Sequence, residues 1–585
     1  MKVYFDHIYN SLSRQTGAKM RKIKTVLAGC IVAVMMLGMT ACGGEEQDKL
    51  SATIEPSSTP EQKEPTSQGR DDENAGQGEE TSAPEGIALT GPAAEMVDNI
   101  VVGWSLGNTL DSYDNNDIVL GKNVGIGSET IWGNPKTSQE LIDLVKDSGI
   151  NAVRVPVTWY NHMDNNYVID KAWMDRVQEI VDYVINDGMY CILNVHHDTG
   201  VDGWLRASDT NLEEDKAMFA AIWEQICERF GEYNDHLIFE GFNELLNDNN
   251  EWVNPDSRAM EITNELNQLF VDTVRASGGN NSKRILLVNT YCAGGGNGVT
   301  KGFVLPTDTA ENSLIVGAHI YQPFNFTAQE YPAATTWEKA SVDSYLGNMY
   351  TSFVQKGIPV IIGEFGSVDK DNIEQRLSWV KYYVETCREY GIKCFWWDNG
   401  DAYRLINRRS LQVAQKDLLG MLVATAKGEE YIPQGEDEVE ATDNLCANVD
   451  NWSGWVNPSA KATISYLPNG TSVEVTDGGD EEWYIQPSYT RITLEQGASY
   501  ELSFDYVATK NVTIAFHFQQ NYDPYGVYAS GSIDCTQEVQ HYSAVITMTE
   551  ETDSNVALVY NCGKHGESVP YTLTVTNLSL VKQGE

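Results

Sequence analysis

Positive charge is scarce in this chain of 585 residues: 40 Lys and Arg stand against 84 Asp and Glu, a formal charge of −44 at pH 7. Nucleic acids and anionic membrane surfaces are therefore poor candidates for the main partner. Metal-finger spacing is missing as well. The ten cysteines are Cys30, Cys42, Cys191, Cys227, Cys292, Cys387, Cys394, Cys446, Cys535 and Cys562, and no two form a CxxC pair, which argues against a zinc site. Cys191 and Cys227 sit in apolar strand and helix patterns, where buried structural thiols are expected. Cys446 and Cys562 are a candidate disulfide. No phosphate-cradling glycine loop and no nucleophile elbow occurs, so the reading needs no cofactor and no metal.

Long apolar runs are also few. The uncharged stretch Val26 to Ala41 follows Lys19, Arg21, Lys22 and Lys24 and is too short and too rich in small residues for a good membrane span. Basic n-region and apolar h-region together read as a secretory signal. The run ends in Met39-Thr40-Ala41-Cys42-Gly43, which resembles a bacterial lipobox and implies lipidation of Cys42. Residues 1–42 are thus read as signal and lipobox, and the expected location is outside the cytoplasm, on the bacterial cell membrane or surface. Residues 43–87 carry twelve acidic and three basic residues and no aromatic. Such a segment cannot bury enough apolar surface to fold, so 43–88 reads as a tether.

What is abundant is aromatic surface: 14 Trp and 29 Tyr. Sugars stack their C–H faces on such rings, which points weakly to carbohydrate. From 89 to 428, eight short apolar runs alternate with helix-period segments such as Trp173–Asp187 and Ile373–Tyr390. They begin at Val101, Ala152, Tyr190, Leu237, Ile285, Leu314, Val360 and Cys394. Continuous apolar strands between helices indicate a parallel sheet covered on both faces. Eight such units predict an α/β fold, a (β/α)8 TIM barrel. Residues 429–444 read as a second linker. From 445 to 585 the pattern alternates in strand fashion between turn signals such as Pro468-Asn469-Gly470, predicting an all-β sandwich.

In a TIM barrel, chemistry sits at the C-terminal ends of the strands. Those ends hold Arg154, His196-His197-Asp198, Asn243-Glu244, His319-Ile320-Tyr321, Glu364-Phe365-Gly366 and Trp397-Asp398-Asn399. A metal role for His196-His197 is disfavoured, because neighbours on a strand point to opposite faces. Glu240, four residues before Glu244, reads as a buried support. Trp132 and Trp204 either line the cleft or pack in loops.

Residues 89–428 resemble glycoside hydrolase family 5, most of all its bacterial endoglucanases. The motifs are Gly103-Trp104-Ser105-Leu106-Gly107-Asn108, Trp132-Gly133-Asn134-Pro135, Arg154-Val155-Pro156, Asn194-Val195-His196-His197-Asp198, Phe242-Asn243-Glu244, Gly363-Glu364-Phe365-Gly366 and Trp396-Trp397-Asp398-Asn399-Gly400. Leu245 departs from the proline usual after the acid/base. The resemblance implies retaining endo-hydrolysis of β-1,4-glucosidic bonds in cellulose or related β-glucan, with Glu364 as nucleophile and Glu244 as acid/base. Arg154 and Tyr321 are expected to hold Glu364 as the anion. Asn243 would contact the sugar 2-hydroxyl, His196 and His319 would orient carboxyls and hydroxyls, Trp397 would be a stacking floor, and Asn108 and His197 further sugar contacts. A xyloglucanase or mannanase, or an inactive surface glycan-binding protein, are the rival readings.

The C-terminal region resembles carbohydrate-binding modules of the family 4/9 kind. Trp483, Tyr484, Gln486, Gln519 and Tyr522 are the candidate sugar contacts, rings for stacking and amides for hydroxyls. The expected partners are a β-glucan and, through the lipid anchor, a membrane, with the protein itself a monomer. Replacing Cys42 by serine tests the anchor: fractionation should find the variant in the medium or soluble envelope fraction, whereas an unchanged membrane distribution would exclude lipidation.

Overall fold

The structure, a computed structural model, describes residues 88–113, 125–328, 334–370, 372–434, 444–448, 451–457, 459–467, 469–522 and 524–583. Cys42 and the 43–87 part of the tether lie outside the described residues. So does 435–443 of the second linker. Among the described residues no helix is long and apolar enough to cross a membrane.

Eight parallel strands close into a barrel: β1 Gly103–Leu106, β2 Ala152–Val155, β3 Tyr190–Asn194, β4 Leu237–Glu240, β5 Leu286–Gly294, β6 Leu314–His319, β7 Val360–Phe365 and β8 Lys393–Asp398. The predicted TIM barrel is what forms, with strand limits shifted by a few residues and β5 longer than expected. Each strand feeds a helix, among them Lys171–Asn186 and Ile373–Glu389, whose apolar faces bury the barrel's outer surface.

Strand parity explains how this barrel carries a site. Side chains two apart on a strand share a face. Ala152, Ile192, Ile238, Leu287, Ile315, Ile361 and Phe395 pack together inside the barrel, and the helix Pro92–Asn99 adds Ala93, Met96 and Val97 to that cluster. Two residues further along the same strands stand Arg154, Asn194, Glu240, Asn289, Gly317, Gly363 and Trp397. The lower interior is therefore apolar and the next layer polar. Gly103 makes room in the lower layer: a Cβ there would lie 2.0 Å from the Phe395 ring.

A short hairpin, β9 Ile406–Asn407 and β10 Gln412–Val413, comes after β8, and two five-stranded antiparallel sheets follow. One has the order β11 Trp452–Val456, β14 Ile485–Leu494, β19 Asp553–Asn561, β16 Val512–Gln520, β17 Val527–Cys535. The other runs β12 Lys461–Leu467, β13 Gly470–Asp477, β20 Tyr571–Lys582, β15 Ser499–Ala508, β18 Gln540–Thr547. Their inner faces share one apolar core containing Trp452, Tyr489, Phe504, Phe516 and Tyr560, as the predicted sandwich requires. Cys446 and Cys562 are separate buried thiols, so the candidate disulfide does not form; apolar packing alone closes this core.

Gly103→Ala should force the Phe395 ring out of its place. Overpacking of this kind costs about 1–3 kcal/mol, so thermal unfolding of the barrel should shift down while the sandwich transition stays put.

Candidate active site

Arg154 is fully buried at the end of β2. Its guanidinium donates through Nε to Glu240 Oε2 (2.7 Å), through Nη2 to Glu240 Oε1 (3.0 Å) and Asn243 Oδ1 (2.8 Å), and through Nη1 to Glu364 Oε1 (2.8 Å). Burial opposes its charge, but Glu240 and Glu364 together hold its pKa above the ordinary value. Glu240 is thus a buried support: burial would raise its pKa, and Arg154 brings it below the usual glutamate range. Asn289 Nδ2 adds a donor to it at 2.9 Å. With its oxygen taken by Arg154, Asn243 keeps its amide N–H groups for another partner.

Glu364 accepts from Arg154 on one oxygen and from the Tyr321 hydroxyl on the other (3.0 Å). Burial and the Glu364 charge push the tyrosine pKa far above its ordinary value, which keeps it a donor. Both donors favour its ionised form, and burial opposes it. Burial pushes its pKa up, and His319 and Arg154 pull against that without cancelling it. Burial is the largest cause and the neighbouring Glu244 charge adds to it, while Arg154 divides its hydrogen bonds between Glu364 and Glu240.

His319 Nδ1 stands between the two candidate catalytic carboxylates, 2.9 Å from Glu244 Oε1 and 3.7 Å from Glu364 Oε2. Burial disfavours its charge, yet Glu364 and the bond to Glu244 outweigh this and raise its pKa. One oxygen each of Glu244 and Glu364, with this nitrogen, lie within 4.8 Å of one another.

His196 is oriented differently. Asn194 Oδ1 accepts from Val157 N (3.1 Å), which fixes the amide so that its Nδ2 donates to His196 Nδ1 (3.1 Å). The ring proton then sits on Nε2, 4.0 Å from Glu364 Oε1. Burial, with His197 and Arg154 adding to it, lowers its pKa well below the ordinary value, so the ring is a neutral donor. It stacks on Trp397 at 5.6 Å and 7°. That indole rests over Gly107, where a Cβ would lie 2.6 Å from it.

His196 and His197 lie beyond the end of β3, so strand alternation does not separate them. Their rings meet edge to face at 4.5 Å, and Asp111 completes a group of possible metal-ligand atoms. Asp111 is already engaged, accepting from the Asn108 and Thr109 backbone N–H groups. His197 Nε2 is 3.5 Å from it. Trp132 packs on His197 at 5.4 Å, and Trp204 donates to Asp198 Oδ1. With Tyr113, Thr158, Tyr160, Asn161 and His197, Trp204 lines a small pocket of about 10 Å³, room for little more than one water. Asn134 donates to the carbonyls of Asn108 (2.8 Å) and Asn399 (3.0 Å), tying the β1 and β8 loops together. Leu245 is buried and its carbonyl accepts from Cys292 N, so the loop after Glu244 is held without a proline. Asn194 carries no signal of its own in the sequence beyond its place in the motif, because its role depends on a partner 37 residues away.

On the sandwich, Trp483 lies nearly parallel to Trp455 at 5.8 Å and 6°, with Tyr484 edge-on to it. Both tryptophans are exposed, at 48% and 44%. Trp455 pairs across the sheet with Gln486, whose amide donates to Asn561 Oδ1 at 2.9 Å. Trp483, Trp455 and Gln486 form one row on the outer face, and the buried Asn561 fixes the Gln486 amide. The five predicted contacts do not make one patch. Gln519 pairs with Ala557, four residues from Asn561 on β19, about 13 Å along the strand. Tyr522 donates to Asp553, at the far end of the sheet opposite Leu494. Trp455, which no motif marked, joins the row instead.

The family described as "Cellulase (glycosyl hydrolase family 5)" matches residues 118–403, and "Carbohydrate binding domain" matches 440–567. "Endoglucanase B" of Neocallimastix patriciarum is 41% identical over 341 residues, covering 56% of this chain and 71% of that one. Among solved structures, a "GH5-4 broad specificity endoglucanase from Ruminococcus champanellensis with bound cellotriose" is 43% identical with a TM-score of 0.54, covering 58% of this chain and 99% of that one. A "GH5 xyloglucan-specific endo-beta-1,4-glucanase from metagenomic library" is 36% identical with a TM-score of 0.53, covering 57% and 98%.

The sharing of Arg154 makes a pH prediction. The acid limb of kcat/KM, which reports ionisation of Glu364, should lie above the ordinary glutamate value. Glu240→Gln removes one negative neighbour and leaves the Arg154 charge to Glu364 alone. Its pKa falls, and the acid limb should move to lower pH; a limb that stays in place would show that Arg154 does not set it.

Proposed function

The chain belongs to glycosyl hydrolase family 5 and is an endoglucanase, and on that premise we propose that it cuts internal β-1,4-glucosidic bonds of β-glucan by a retaining double displacement. The observation that carries this reading is the carboxylate pair within 4.8 Å around His319 Nδ1. Retaining pairs stand about 5–5.5 Å apart, too close for the water an inverting enzyme places between them. Glu364, positioned by Arg154 and Tyr321, attacks the anomeric carbon while Glu244 protonates the departing oxygen. Glu244 then removes a proton from the water that releases the sugar. His319 lies against both carboxylates through each step. The free N–H groups of Asn243 reach the 2-hydroxyl, and the Trp397 indole forms the floor under the ring.

The row Trp455, Trp483 and Gln486 on the sandwich supports β-glucan binding there, through stacking and amide contacts. Cys42, with its preceding signal, supports attachment to the outer side of the cell membrane. A second reading, xyloglucan as substrate, is supported by the 36% identity to a xyloglucan-specific endo-β-1,4-glucanase. Assays on lichenan, carboxymethylcellulose, xyloglucan and mannan separate these substrates.

Azide distinguishes the two glutamates. Glu244→Ala should still glycosylate Glu364 from an aryl glycoside, whose leaving group barely needs protonation. Azide should then give a β-glycosyl azide and restore turnover. Glu364→Ala should lose roughly 10⁴-fold or more of activity on every substrate, as removal of a nucleophile does, and azide should at most give the α-product. Reversed anomers would reverse the assignments.

A further inference from the structure

The hairpin after β8, formed by β9 Ile406–Asn407 and β10 Gln412–Val413, carries two adjacent arginines that point in different directions. Arg408 goes inward. It donates to the Gly107 carbonyl at 2.8 Å and to the Asp398 carbonyl, with its guanidinium over Trp104. Arg409 goes outward, and three of its partners lie among the described residues. Nη2 donates to the Gly133 carbonyl at 2.9 Å, Nη1 donates to the Trp452 carbonyl at 2.8 Å, and the guanidinium lies 4.0 Å from the centroid of Tyr466.

Those partners belong to two different binding surfaces. Gly133 stands between Trp132, which packs on His197, and Asn134, which holds the Asn108 and Asn399 carbonyls. It is therefore part of the cleft rim. Trp452 and Tyr466 lie on β11 and β12, the edge strands of the two sandwich sheets. One guanidinium thus joins the cleft rim to both edges of the sandwich. Arg suits this place, since its planar fork can donate in two directions while its face stacks on a ring.

The aromatic pair lies on that same edge strand. Trp455 follows Trp452 by three residues, about 10 Å along β11, and faces outward where Trp452 faces the core. We propose that the catalytic cleft continues past Arg409 onto the outer face of the sandwich, where Trp455, Trp483 and Gln486, the last fixed by the buried Asn561, form a distal subsite for the same β-glucan chain. The inference deepens the β-glucan reading above and rests on it. The subsite lies on the glycone side. Glu244, at β4, serves the leaving group, whereas the sandwich joins at the β1 and β8 loops across the barrel. A binding module that searches for substrate independently on its linker needs no bond to the cleft rim.

The test uses the full-length chain and three variants: Trp455→Ala/Trp483→Ala, Arg409→Ala and Tyr466→Ala. Kinetics are read on cellotetraose and on soluble mixed-linkage β-glucan, and binding by retardation in β-glucan gels. With a continuous surface, the double tryptophan variant should lose gel retardation and raise KM for the polymer about 3- to 10-fold through lost effective concentration. Arg409→Ala should raise polymer KM by a similar factor while keeping gel retardation and cellotetraose turnover. Tyr466→Ala, which keeps the Gly133 and Trp452 bonds and removes only the ring against the guanidinium, should raise polymer KM by a smaller factor and covers the case in which Arg409→Ala disturbs the rim. Polymer KM at the wild-type value in both uncoupling variants would overturn the continuous surface in favour of an independent module. Unchanged retardation in the tryptophan variant would also overturn it, by removing the subsite. A wild type inactive on both substrates yet retarded in the gel would instead fail the hydrolase reading, and the inference with it.

Discussion

A buried guanidinium needs its charge answered inside the protein, and Arg154 organises this site through that requirement. No water reaches it, so its N–H groups must find acceptors among neighbouring strands. It takes them from β4, from the loop after β4 and from β7. Removing one partner would leave charge stranded, which typically costs 3–5 kcal/mol. Four groups thereby hold one another in register, and the side chains proposed to do chemistry inherit that rigidity.

The consequence for Glu364 is less simple than attraction between opposite charges suggests. A lone Arg–Glu pair would depress the carboxyl pKa strongly. Here Glu240 takes the two-pronged contact, and Glu364 receives one N–H, a tyrosine hydroxyl and the nearby imidazole of His319. The carboxylate is positioned on both oxygens without being over-stabilised, and a nucleophile held too firmly as an anion would react sluggishly. His196, kept neutral by burial and turned by Asn194, offers an N–H there without adding charge.

Much of this was legible in the sequence because barrel strands are short, apolar and followed by helices, and because their final residues are the ones that differ. Arg154, Glu244, His319, Tyr321 and Glu364 all fell at such ends, and the structure brings them together. Two kinds of information were not legible. Competition between partners, such as Glu240 against Glu364 for Arg154, depends on distances that spacing does not encode. Placement on an antiparallel sandwich depends on register, so Tyr522 went to the far end of the sheet while Trp455 joined Trp483. The separation of His196 from His197 by strand parity failed for a local reason: β3 ends at Asn194, two residues too early for that rule.

The two-layer barrel interior has a bearing on how such a protein can change over generations. Its charged pair, Arg154 and Glu240, is fixed by parity within β2 and β4, one layer below the loops at the mouth of the barrel. Insertions between strands alter the walls of the groove without moving Arg154 relative to Glu240. A single-residue slip inside β4 would instead put Phe239 where Glu240 stands and leave the guanidinium without its main acceptor. Variation is therefore cheap in the loops and costly in the strands, so the groove can be reshaped while its charged layer stays the same.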